Sequence, residues 1–172
     1  MKRLATYDRK DYNPELPRTT KRSARAIIVK DDRVALLYST KYEFYCFPGG
    51  ALEEGETPVE ALIRETREEA GLIVKLGSIK GFGEVLEIRK DMFEESIYEQ
   101  HEYYYTCDTE DTIVEQKLTQ SEQEAGYQLI FVSFDEAIKQ NKLGVHVEPK
   151  YTEAETYVLN LLKDEYNDSH FT

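Results

Sequence analysis

The sequence predicts a fold of sheet and helices together, α+β or α/β, and three observations predict it. Short runs rich in β-branched and aromatic residues recur between residues 24 and 134. Helical patterns are interleaved with them, which suits helices covering a shared sheet. The length of 172 residues fits one domain of ordinary size. Val, Ile, Leu and Phe make up about a quarter of it, enough for a modest core.

Taken in order, residues 1–22 carry Pro14, Pro17 and several basic side chains and are expected to form an irregular lead-in or an edge strand. The domain is placed at 23–165 and a flexible tail at 166–172. Residues 24–29 and 34–38 are apolar runs around the polar turn 30–33, the pattern of a β-hairpin. Further strands are expected at 44–47, 72–76, 82–88, 102–107 and 128–134. Residues 91–102, five of them acidic, are expected to form a long loop between strands. Short and longer helices are expected from Asp135 and over 152–163, the latter with Ala154, Tyr157, Val158, Leu161 and Leu162 at helical spacing.

A third helix is the best defined. Thr57-Pro58-Val59-Glu60 supplies a hydroxyl cap, proline at the first helical position and Glu three residues after the cap, and Gly71 ends the helix. At about 100° per residue, Val59, Leu62, Ile63, Thr66 and Ala70 share one flank and Glu65, Glu68 and Glu69 the other. The expectation is one buried side and one carboxylate stripe.

Composition narrows the partners. The 22 Lys and Arg against 34 Asp and Glu leave a net charge of −12, which disfavours long nucleic acid. A small phosphorylated ligand remains compatible, because a few basic groups and a bound cation reverse the field locally. No apolar run approaches the roughly 18 residues that cross a bilayer, so no membrane partner is expected and the protein is placed in the cytoplasm. Cys46 and Cys107 are too few for a disulfide framework or a four-cysteine zinc site.

The spacing around the helix carries the chemistry. Gly50, five residues, Glu56, seven residues, then Arg64-Glu65-Thr66-Arg67-Glu68-Glu69-Ala70-Gly71-Leu72 resembles the Nudix box. Seven defined positions agree, and chance would produce them on the order of once in 10^5 such chains. Thr66 departs from the bulky aliphatic residue of the pattern. Phe47-Pro48-Gly49-Gly50 and Phe131-Val132-Ser133-Phe134-Asp135-Glu136-Ala137 extend the resemblance over about 24–140. It implies a Nudix-type α/β/α sandwich with a mixed central sheet.

Carboxylates at i, i+3 and i+4 repel one another unless a cation sits among them. Oxygen-only ligands favour Mg²⁺, with Mn²⁺ as a substitute, over zinc. Gly49 and Gly50 let a backbone carbonyl join the coordination. By resemblance, the metal set is Gly50, Glu65, Glu68 and Glu69, with Glu68 and Glu69 first among the ligands and Glu65 a ligand or the proton acceptor. Arg64 and Glu56 pair to hold loop and helix in register, and the catalytic group is Glu65, Glu68 and Arg64. Glu102, Glu122 and Glu124 are further candidates for the base.

The implied reaction is Mg²⁺-dependent attack of water on phosphorus in a nucleoside diphosphate linked to another group, most simply a nucleoside triphosphate. The alternative is a nucleotide-binding or sensing domain that does not cleave. Arg25 is a candidate for meeting phosphate and Tyr104 for stacking on a base, against the plainer expectations of surface charge and sheet packing. His101, His146 and His170 share no helical face and are not expected to bind metal. Markers for ADP-ribose, dinucleoside polyphosphate or coenzyme A substrates are absent, and a homodimer is left open.

Overall fold

The computed structural model describes residues 1–144 and 146–170. Its strands are β1 (Arg3–Asp8), β2 (Arg18–Ile27), β3 (Val29–Lys30), β4 (Arg33–Ser39), β5 (Phe44–Cys46), β6 (Gly49–Ala51), β7 (Leu72–Val74), β8 (Lys80–Lys90), β9 (Ile97–Thr106), β10 (Thr109–Ile113) and β11 (Tyr127–Val132). Its helices are α1 (Pro58–Ala70), α2 (Gln120–Ala125), α3 (Phe134–Leu143) and α4 (Glu153–His170).

The largest sheet runs β1-β8-β9-β2-β6 and is mixed: β1 lies parallel to β8 and β2 parallel to β9, while β8 and β9, and β2 and β6, are antiparallel. A second, antiparallel sheet pairs β4 with β3, β5 and β11, and β7 pairs with β10. Alternation along β2 divides the core. Ala24 and Ala26 face α1 with Leu62, Ala70 and Leu72, whereas Ile27 faces α3 and α4 with Tyr104, Val85, Val158 and Leu159. The chain is thus an α+β structure with helices on both faces of a mixed sheet.

Four sequence expectations need correction. The lead-in holds the expected edge strand, β1 along β8, but β2 already begins at Arg18, so the boundary at residue 22 falls inside a strand. Residues 24–29 do not form one hairpin arm. The chain leaves the large sheet at Ile27, and only β3 pairs with β4, since the long parallel register with β9 captures the earlier residues. The excursion at 91–102 shrinks to 91–96, because cross-strand pairing of β8 with β9 continues to Lys90 and Ile97. In the expected tail, residues 166–170 continue α4, with Tyr166 packed against Phe134; Phe171 and Thr172 lie outside the described residues.

Candidate active site: a carboxylate helix beneath a glycine loop

The start of α1 is built as its residues dictate. The Thr57 side chain accepts from the Glu60 N–H while the Glu60 carboxylate accepts from the Thr57 N–H, a complete capping box, with Pro58 at the first helical position. Gly71, at φ 68°, closes the helix in the left-handed conformation and donates back to Arg67. Between these ends the buried residues are Ala61, Leu62, Thr66, Glu69 and Ala70, while Val59 lies at the surface. The buried face is therefore turned toward the carboxylates, and Glu69 is not on an exposed stripe.

The glycine loop is the cause. β6 pairs with β2 so closely that a Cβ on Gly49, at φ 143°, would lie 2.0 Å from the Ala24 carbonyl oxygen. The Gly49 N–H donates to Glu69 Oε2 at 2.9 Å, which draws that carboxylate inward. A Cβ on Gly50 would lie 2.6 Å from the Glu65 carboxyl carbon, so the Glu65 side chain sits against the loop backbone. Gln116 also donates its amide to the Glu69 carbonyl, tying the segment before α2 to the end of α1.

Arg64 holds the pieces in register. Its Nε and Nη2 donate to the two Glu56 oxygens at 2.8 and 2.9 Å, and Nη2 also reaches the Ala51 carbonyl at 3.1 Å. Its Nη1 donates to Glu65 at 2.6 Å and lies 3.4 Å from Glu68. Hydrogen bonds from Arg64 hold the Glu56 carboxyl below its ordinary range. Burial pushes Glu65 upward despite Arg64, with Glu68 and Glu122 adding to the shift. Burial pushes Glu69 up to about 8, opposed by Arg25 and the Gly49 N–H, and reinforced by Glu122 and Glu65.

This donor set fits a hard divalent cation. Glu65 and Glu69 offer carboxylate oxygens whose charged forms are disfavoured as they stand, and a cation beside them would reverse that. Among the described residues no three acidic, His or Cys side chains close into a cage. Mg²⁺ suits such an open arrangement, since it takes one or two carboxylates and keeps water or phosphate in the remaining positions. Glu65, Glu68, Glu69 and the loop backbone at Gly50 are the residues that would hold it.

Arg25 links this site to the far face of the sheet. Its Nη1 donates to the Gly49 carbonyl at 2.8 Å, and its Nη2 lies 3.2 Å from Glu102 Oε1 on β9. Arg25 is thus a largely enclosed side chain and no surface charge. It and Glu102 line a cavity of about 230 Å³ between the sheet and the start of α4, together with Glu87, Arg89, Arg9 and Glu155. Burial pushes Glu155 up to about 7, helped by Glu102 and opposed by Arg25.

The remaining candidates separate. Tyr104 is fully buried, packed edge-on against Phe47 with its hydroxyl donating to Glu102, and presents no face for stacking. Alternation aims it into the α3–α4 core, where a large side chain is needed. Of the three outside bases, Glu122 lies close enough to raise both Glu65 and Glu69, although its carboxylate also accepts from the Thr119 N–H at 2.7 Å to cap α2. Glu102 is engaged by Arg25, and Glu124 by Gln120 at the surface. His101 sits between Glu84 and Glu99 on the α1-side face of the sheet. Arg9, Lys150 and Glu155 had no local sequence signal, because only the chain path brings β1 and the start of α4 to this cavity.

The NUDIX domain model matches residues 19–154, most of the chain, and the chain belongs to the Nudix family. It is similar to an ADP-ribose pyrophosphatase of Methanocaldococcus jannaschii, 43% identical over 58 residues, covering 32% of this chain and 34% of that protein. It is also similar to a human diphosphoinositol polyphosphate phosphohydrolase, 36% identical over 86 residues, covering 49% of this chain and 45% of that one. The matched stretches thus span between a third and a half of those relatives. Among solved structures, a MutT protein from Bacillus halodurans superposes with a TM-score of 0.55 at 26% identity, covering 70% of this chain and 72% of that chain. Among the described residues no helix is long and apolar enough to cross a membrane.

Proposed function

We propose that the protein hydrolyses a phosphoric anhydride in a small phosphorylated substrate, with Mg²⁺ or Mn²⁺ held by Glu65, Glu68, Glu69 and the Gly50 backbone. The supporting observation is the seating of Glu65 and Glu69 against the Gly49–Gly50 loop, with Arg64 bonded to Glu56 and Glu65. The cation supplies charge that offsets the phosphate oxygens and orients the substrate. Glu65, fixed by Arg64, accepts the proton of the attacking water, with Glu122, which acts electrostatically on Glu65 and Glu69, the alternative from outside the box. Arg25, anchored on the loop carbonyl, faces the cavity that receives the rest of the substrate.

The substrate class is a nucleoside diphosphate linked to another group, with a nucleoside triphosphate the simplest member, and the protein works in the cytoplasm. Product analysis with Mg²⁺ over nucleoside triphosphates, nucleotide sugars, dinucleoside polyphosphates and coenzyme A tests this. Cleavage that a chelator abolishes is expected, and in oxygen-18 water the label should enter a phosphate. Label in a sugar hydroxyl would overturn the mechanism. Tight calorimetric binding without cleavage of any compound would transfer the site to nucleotide sensing.

A further inference from the structure

The cavity on the α4 side carries a charge pattern that the hydrolytic site does not require. In a chain of net charge −12, its walls bring four cations, Arg9, Arg25, Arg89 and Lys150, against three carboxylates, Glu87, Glu102 and Glu155. Arg25 faces the glycine loop and belongs to the site already described. The other three cations arrive from separate elements: Arg9 follows the end of β1, Arg89 lies on β8, and Lys150 precedes α4. Arg9 lies on the N-terminal side of the family match at residues 19–154.

These cations are positioned, and Arg89 and Lys150 are only loosely neutralised. Arg9 donates to the Lys150 carbonyl at 3.2 Å, and its backbone N–H donates to Ile88 at 2.9 Å, so β1, β8 and the approach to α4 meet at one point. Arg89 lies 4.1 Å from the centre of the Tyr98 ring, which fixes its guanidinium plane. Glu87 serves both arginines, at 3.5 Å from Arg9 and 3.9 Å from Arg89, and burial pushes its carboxyl upward. Arg9 also meets Glu153 at 2.8 Å, whereas the outer partner of Lys150, Glu148, has a side chain 69% exposed, and an ion pair so open to water is weak. A dianionic phosphate carries more charge than a single carboxylate and matches the planar forks of Arg9 and Arg89 bidentately.

We infer that the cavity edged by Arg9, Arg89 and Lys150 is a specificity subsite for a second anionic group, a phosphate monoester carried by the substrate away from the anhydride that is cleaved. This rests on the hydrolytic reading above and adds which members of that class are preferred.

Matched pairs that differ by one phosphate monoester test it: NADPH against NADH, and coenzyme A against dephospho-coenzyme A, each with Mg²⁺. The expected result is a KM lower by about tenfold or more for the phosphorylated member of at least one pair, with kcat little changed. Arg9→Gln and Arg89→Gln should each reduce that ratio severalfold, raising KM more for the phosphorylated member of a pair than for its unphosphorylated partner. Thermal melting of both variants checks that they fold, and Lys150→Gln serves as a third variant remote from the sheet pairing. Equal KM values within both pairs, or a preference that survives all three variants, would overturn the subsite and leave the hydrolytic reading standing. Failure to cleave any anhydride, in these pairs and in the wider panel, would remove both.

Discussion

At the scale of single residues, the loop and helix depend on contacts that tolerate little change. Glu69→Gln keeps the shape and the hydrogen bond from Gly49 but removes a charge from the site. It and Glu68→Gln are each expected to lower kcat by a factor on the order of 10² or more. Activity within about threefold of the parent, measured at saturating Mg²⁺, would remove either residue from the reacting set. Thr66 is buried and its hydroxyl has no hydrogen-bond partner among the described residues. Thr66→Val should therefore raise stability by about 1 kcal/mol in chemical denaturation, and a loss of that size would show that the hydroxyl is satisfied in solution.

At the scale of elements, α1 couples packing to chemistry. Leu62 is fully buried against Ala24, Ala26 and the β4 side chains, and the same helix carries Glu65 and Glu69 three and seven residues on. Leu62→Ala should cost roughly 2–5 kcal/mol, read as a lowered denaturation midpoint with an unchanged slope. The capping box at Thr57 contributes less: Thr57→Ala should cost about 1 kcal/mol. A change below a few tenths in the Leu62 variant would mean that the helix packs on a different face. The helix was legible in the sequence at both ends, from Thr57-Pro58 and Gly71, because caps are local chemistry. Its rotation was not, since periodicity placed Val59 and Ile63 inside, while the hydrogen bond from Gly49 and the absent Cβ of Gly50 turned Glu69 and Glu65 inward.

At the scale of the whole molecule, the start of α4 is brought against β9, which enters a carboxyl into a closed space. Glu155 is buried beside Glu102 and Arg25, and its affinity for a proton rises to about pH 7. A carboxyl with a higher pKa in the folded state binds its proton more tightly there. Its contribution to stability is therefore intact below the ordinary carboxylate range and declines as pH rises to about 7. Glu155→Gln should melt higher than the parent at about pH 8.5 and by a smaller margin at about pH 4.5. Equal margins at the two values would show that Glu155 ionises as freely in the folded chain as in the unfolded one.

The sequence by itself determined the family, the box from Gly50 to Leu72, the acidic surface balance and the alternation of strands with helices. Each of these rests on residue identity and short-range spacing, which survive without a fold. The tertiary structure alone decided that Tyr104 fills the core, that Arg25 reaches from β2 to both Gly49 and Glu102, and that β1 flanks β8. It also decided which carboxylates are buried enough to hold protons near neutral pH. The physical reason is that these properties arise between residues far apart in the chain. Arg9 meets Glu153 only because a parallel edge strand and a late helix close on the same cavity, and burial is a property of that closure.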